Sequence, residues 1–213
     1  MSSRASILCP LFLLTAASLA AQLGREPSSA APPRQLNPKL SLTTPQHEVI
    51  QPFRLGTGHQ LGLLLFVQRS CPISEYYAKQ IATLCEKQYP GRLQCTIVYP
   101  TAALTPEEVQ THGTRYRLSV DSATRLLADP NLVLAEATGA TVTPEAIVFR
   151  ADGQILYRGR IDNRFVGWTK RRTVVTEHDL ADALQSAFAN PSAASLRSTS
   201  AVGCWIEKKG TKQ

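Results

Sequence analysis

The stretch "LLLFVQRSCPISEYYAKQI", Leu63–Ile81, changes character at a single residue, Cys71. Before it, Leu61–Val67 ("LGLLLFV") is short and continuously apolar, the pattern of a strand buried on both faces. After it, residues 72–89 carry Ile73, Tyr77, Ile81, Leu84 and Cys85 at the spacing of an amphipathic helix, and Pro90-Gly91 ends the run. Pro72 suits the first helical position, where its missing N–H would be unpaired anyway. Cys71 is then the residue that caps the helix. It faces the positive end of the helix dipole, which favours thiolate over thiol, and the thiolate is the nucleophile. Arg69 adds a cation two residues away. The reading requires the sulfur to be reachable at that junction.

Working outward, "LQCTIVYP" from Leu93 reads as a second buried strand, parallel to the first through a right-handed crossover. "TPEEVQTHGTRYRL" opens with Thr105 as cap, Pro106 at the first helical position and Glu108 three residues after the cap, and Gly113 weakens it. "RLLADP" is a short strand, and "NLVLAEATG" is a short helix with Gly139 as its stop. "PEAIVFRADGQILYRG" is two strands joined at Asp152-Gly153, a hairpin signal. "TEHDLADALQSAFAN" is the last helix, with Thr176 as its cap. A central mixed sheet flanked by helices on both sides buries all these faces, which makes the fold class α/β.

The chain has 213 residues, 43% of them apolar and 18% charged, enough for one domain with extensions. Residues 1–20 have a short basic start, an apolar segment interrupted by Pro10, and small residues before Ala20. They read as a signal peptide, with Cys9 in the removed part. The protein is therefore expected to be exported, periplasmic or secreted, with no membrane span after cleavage. Residues 21–46, rich in Ala, Pro and Ser, read as a flexible linker; 47–190 form the domain; 191–213 are a tail carrying Cys204. Loss of Arg4 from 23 basic against 16 acidic residues leaves 22 − 16 = +6. No basic stripe with interleaved aromatics accompanies this charge, which argues against nucleic acid. Lys170-Arg171-Arg172 reads as a solvated loop. The histidines His47, His59, His112 and His178 have no ligand spacing, so no metal or other cofactor is expected.

"GATVTPEAIVF" places Thr143-Pro144 immediately before the first hairpin strand. With the Cys-Pro motif upstream, a cis bond that presses this loop against Cys71 is expected. The element order is the thioredoxin arrangement. Together "FVQRSCPISEYYAKQI", "GATVTPEAIVFRADGQILYRGRIDNRF", "KRR" and "AVGCWI" make the chain, from about Val49 to Ile206, resemble the redoxin branch of the thioredoxin superfamily. That branch includes the alkyl hydroperoxide reductase and thiol-specific antioxidant proteins. The likeness is nearest to exported, single-domain redoxins with a CPIS site. It implies that Cys71 is the redox cysteine and Pro144 a cis-proline.

The chain departs from the pattern in three places. Ser74 stands where a Cys-x-x-Cys reductase has its resolving cysteine. Leu65 stands where thioredoxins carry a buried acid. Gln68 and Leu64 occupy the threonine and proline places of the peroxiredoxin motif. Cys85, fourteen residues on at about 1.5 Å each, lies roughly 21 Å from Cys71, beyond the ~7 Å Cα separation a disulfide tolerates. Cys95 begins the next strand at the far end of the sheet. The two could pair there, but separate buried thiols are expected. Cys204 follows the last helix by about fourteen residues of chain, a reach of up to ~45 Å. Either it pairs with Cys71 on oxidation, or Val202, Trp205 and Ile206 clip the tail down and Cys204 is incidental.

Asp162 and Arg164 read as loop anchors, and Tyr76 and Tyr77 as divided between surface and core. The functional reading is a thiol–disulfide oxidoreductase-like protein with Cys71 as nucleophile. Ser74 or backbone N–H groups at the helix start would hold the thiolate, and Thr143 and Pro144 would shape the groove. Cys204 or an external thiol reductant would complete the cycle. Its partners would be protein thiols and disulfides, or a peroxide. The alternatives are a thiol peroxidase and a non-catalytic binding or chaperone module.

Overall fold

The computed structural model describes residues 34–43, 48–101, 104–118, 124–190 and 195–207. All lie in the unit that begins at Pro32. The expected signal peptide, its cleavage point and Cys9, most of the linker, and His47 lie outside the described residues.

A two-residue hairpin, β1 (Leu42–Thr43) with β2 (Val49–Ile50), precedes the domain's main sheet. β3 (Leu61–Phe66) is the strand expected at the centre, with every residue buried. Leu63, Leu64 and Leu65 are wholly inaccessible, each contributing about 1.5–3 kcal/mol by burial. Helix α1 (Pro72–Thr83) follows, then β4 (Leu93–Tyr99), parallel to β3 with Leu63 opposite Cys95. α2 (Pro106–Arg115) opens on the expected capping box: the Thr105 hydroxyl accepts the Glu108 N–H, and the Glu108 carboxylate accepts the Thr105 N–H. β5 (Thr124–Ala128), α3 (Val133–Thr138), β6 (Val142–Thr143), β7 (Glu145–Arg150), β8 (Ile155–Gly159), α4 (Asp179–Ala189), β9 (Arg197–Ser198) and β10 (Cys204–Trp205) complete the chain. The six-stranded mixed sheet runs β5-β4-β3-β7-β8-β9. Buried side chains of α1, α2 and α4 pack on one face. α3 packs on the other with Leu36 and Phe53.

Five expectations change. The helix predicted over 72–89 is α-helical only to Thr83 and continues as a wider π-helical turn, Leu84–Gln88. α2 runs through Gly113 without a break, and the glycine has a packing role. A β-carbon there would stand 2.1 Å from Leu126 Cδ1, so the glycine lets the helix lie close on β5. The last helix begins at Asp179, not after Thr176, because Asn163 holds Thr176 through both its hydroxyl (2.7 Å) and its N–H (3.0 Å). The described part of the expected linker, beginning at Arg34, packs onto the domain. Leu36 is buried and its N–H donates to the Gly153 carbonyl at 2.8 Å. Gly153, at φ +87, supplies both the hairpin turn and the space for that contact, since a β-carbon would meet the Leu36 oxygen at 2.2 Å. The described part of the tail is not free chain either. β9 extends the sheet beside β8, and β10 pairs antiparallel with β6.

Candidate functional site

Cys71 stands where β3 gives way to α1. Its backbone is extended (φ −94, ψ 111), Pro72 follows at the first helical position, and no side chain caps the helix. The turn is closed by the Cys71 N–H donating to the Gln68 carbonyl at 3.1 Å. The Gln68 N–H in turn donates to Ser74 Oγ at 3.3 Å. Ser74 is buried, and by accepting this N–H its hydroxyl braces the loop before Cys71. Arg69 is engaged with α2. It ion-pairs with Glu108 of α2 at 3.3 Å, so it is not a lone cation beside the thiolate.

The loop before β7 closes the site from the other side. The Thr143-Pro144 peptide bond is cis, as the sequence suggested. The Thr143 carbonyl oxygen lies 3.1 Å from Cys71 Sγ. Thr143 is fully buried, and its Oγ1 lies 3.4 Å from both Gln68 Oε1 and the Cys204 carbonyl oxygen.

Cys71 is disulfide-bonded to Cys204, with Cα atoms 5.9 Å apart across 133 residues of sequence. Of the two readings of the tail, the paired one holds, and the clip accompanies it only in part: Val202 and Ile206 pack against the core, while Trp205 is exposed. Cys204 faces Thr143 and Trp205 faces Val142 in the β6–β10 pair. The Ile206 N–H donates to the Thr141 carbonyl at 2.9 Å, and Ile206 is buried. In this oxidised form Cys71 has no exposed surface. The reachable sulfur expected at this junction is therefore not exposed in this form: Cys71 sits in the core cluster, bonded to Cys204.

Cys85 and Cys95 are joined as well, Cα atoms 5.8 Å apart, which corrects the expectation of separate thiols. The wide turn after α1 carries Cys85, and the parallel register sets Cys95 two residues into β4. Both sit at the end of the sheet remote from Cys71, so the two disulfides are spatially distinct.

Tyr77 and Tyr76 divide as expected, the first buried and the second exposed. The Tyr77 hydroxyl donates to the Asp162 carboxylate, which also accepts the Arg164 N–H at 2.8 Å. Burial, then the Asp162 hydrogen bond, raises the Tyr77 pKa far above the ordinary phenol range. The Arg164 guanidinium donates to the carbonyls of Arg172 (2.7 Å) and Thr173 (2.6 Å). Asp162 and Arg164 are therefore loop anchors. Lys170, Arg171 and Arg172 are exposed.

Sequence reasoning missed Glu145. It follows Pro144 directly, is buried, and accepts the N–H groups of Thr141 (2.9 Å) and Val142 (3.4 Å), bracing the loop that carries β6. Burial raises its pKa against those two bonds and the Arg158 charge. An acid at the head of an apolar strand was the available signal. His112, also buried, shares a 2.9 Å hydrogen bond with the Tyr99 hydroxyl, and burial lowers its pKa. Among the described residues no three His, Cys, Asp or Glu side chains stand together so as to hold a metal ion.

No protein-family model matches the chain, and no curated protein does. Solved structures do. An uncharacterized conserved protein from Geobacillus kaustophilus superposes with a TM-score of 0.65 at 17% identity, over 85% of this chain and 94% of its own. A hypothetical protein from Sinorhizobium meliloti 1021 does so with a TM-score of 0.67 at 20% identity, over 86% and 97%. A thioredoxin-like protein from Aeropyrum pernix matches with a TM-score of 0.50 at 20% identity, over 69% of this chain and 88% of its own. The fold is thioredoxin-like. Within it, the strand-to-helix junction and the cis-proline loop face one another across the Cys71–Cys204 bond. No helix among the described residues is long and apolar enough to cross a membrane.

Proposed function

We propose that the chain is a thiol–disulfide oxidoreductase whose redox couple is Cys71 and Cys204. The observation that carries this reading is their disulfide, formed where a helix start meets the cis-proline loop. Ser74 leaves the helix without a resolving thiol, and Cys204 supplies one from the tail. In the reduced protein the Cys71 thiolate attacks a partner's disulfide. A Cys71–partner mixed disulfide forms and one partner thiolate leaves. The Cys204 thiolate then attacks Cys71 Sγ, closes the Cys71–Cys204 bond, and releases the partner fully reduced. An external dithiol returns the couple to its starting state by the same exchange, becoming a disulfide itself. The unpaired N–H groups of the first turn of α1 favour the thiolate, while Thr143 and Pro144 shape the groove. Two disulfides and a leader-like N-terminus suit an exported protein, periplasmic or secreted.

The test is a single turnover. Protein reduced with dithiothreitol and freed of reductant is mixed with excess oxidised peptide. Stoichiometric reduction of the peptide, with closure of Cys71–Cys204, is expected. Cys71→Ser abolishes it, and Cys204→Ser stops at a mixed disulfide on Cys71. Consumption of hydrogen peroxide that depends on Cys71, without reduction of the peptide, identifies a thiol peroxidase instead. Binding of partners without either exchange identifies a chaperone-like module.

A further inference from the structure

The docked tail reveals what the groove accepts. β6 is two residues long, and among the described residues its only strand partner is β10. When the tail leaves, the backbone edge at Val142–Thr143 loses that partner, directly beside Cys71 Sγ. A second extended segment bearing a cysteine could take the same place by adding a strand to that edge. The tail and such a segment cannot occupy it together, because one sulfur position serves both.

Each position of the tail meets a different constraint. A β-carbon on Gly203 would stand 2.0 Å from the Thr143 carbonyl oxygen, 2.6 Å from its carbon and 3.1 Å from the Pro144 nitrogen. These are backbone atoms of the cis-proline loop, braced from behind by the buried carboxylate of Glu145, and no rotamer change relieves the clash. The position before the cysteine therefore excludes a side chain. Trp205, directly after the cysteine, is 75% exposed, so that position is not read. Ile206, two after it, is buried in the apolar cluster on the α3 face while its N–H holds the Thr141 carbonyl. That position selects an aliphatic side chain.

We propose that the protein exchanges disulfides with extended peptide segments in which glycine precedes the reacting cysteine and an aliphatic residue lies two positions after it. Its own tail is the tethered copy of that pattern. The proposal rests on the redox reading of Cys71 and names the substrate class of the same site.

The probe is a set of hexapeptides whose cysteine is activated as the thionitrobenzoate disulfide. The Cys71 thiolate attacks the peptide sulfur, a Cys71–peptide disulfide forms, and the coloured thionitrobenzoate anion leaves. The full-length Cys204→Ser protein is used, with the reduced native chain as a second measurement. The expected order is "AVGCWI" equal to "AVGCAI", with "AVACWI" and "AVGCWD" each slower by about tenfold or more. The thionitrobenzoate disulfide of free cysteine serves as a sequence-free control. Equal rates for all four peptides, with the control also reacting, overturn the specificity and leave the redox reading standing. Silence from the peptides and the control alike overturns both.

Discussion

The Thr143 carbonyl oxygen lies 3.1 Å from Cys71 Sγ, and Thr143 is also the residue that faces Cys204 across the β6–β10 pair. One residue therefore positions both halves of the disulfide, and the closeness of the tail's approach decides how readily it closes. Gly203 permits that approach. Gly203→Ala is expected to disfavour closure of Cys71–Cys204 by about tenfold or more, since the added methyl meets backbone on a braced loop. Trp205→Ala, at an exposed position, leaves it nearly unchanged. Equilibration in glutathione buffers of graded ratio, followed by alkylation and mass measurement, gives both values.

The Cys85–Cys95 disulfide closes a short loop far from Cys71. Replacing both cysteines with alanine is expected to cost about 2–3 kcal/mol of stability, by freeing the unfolded chain. Urea titration measures the loss. The exchange chemistry of Cys71 stays intact in the same variant, which separates the structural bond from the redox one.

His112 couples folding to mild acid. Its folded pKa lies below the ordinary 6.5, chiefly through burial, with Arg69 and Arg115 adding to the shift and Glu75 opposing it. A depressed pKa contributes stability that is present above 6.5 and is lost as the pH falls through the lowered value. The urea midpoint is expected to be lower at about pH 5 than at about pH 7.5, and His112→Gln is expected to flatten that difference.

Glu145 acts in the opposite direction. Burial raises its folded pKa above 4.5, against its two backbone hydrogen bonds and Arg158. A raised pKa contributes stability that is fully present below 4.5 and is lost as the pH climbs through the raised value. Glu145→Gln removes this dependence, so the difference in urea midpoint between variant and native chain shifts towards the variant as the pH rises from about 4.5. Glu145→Ala instead leaves the Thr141 and Val142 amides without their acceptor and destabilises by about 1–3 kcal/mol.

Local patterns in the chain were sufficient for β3, β4, β5, the β7–β8 hairpin and the four α-helices in their order, but not for the two-residue strands β1, β2, β6, β9 and β10. The apolar run Leu61–Val67, the Thr105 capping box and the Asp152-Gly153 turn act over a few residues, so the residues themselves report them. The same holds for the position of Cys71 at the helix start. The cis bond at Pro144, by contrast, was legible only from Thr143-Pro144 taken together with the distant Cys71-Pro72 motif. Tertiary structure decided the rest, because those relationships join residues that no local pattern connects. Cys71 meets Cys204 only because the tail returns across 133 residues to pair with β6. Cys85 meets Cys95 only because a π-helical turn and a parallel register bring their two elements together. Arg69 and Thr176, legible as a free cation and a helix cap, were claimed by other partners, Glu108 and Asn163, and the Ser74 hydroxyl accepts the Gln68 N–H. A polar side chain takes the hydrogen bond that packing brings within reach, and packing is a property of the whole fold.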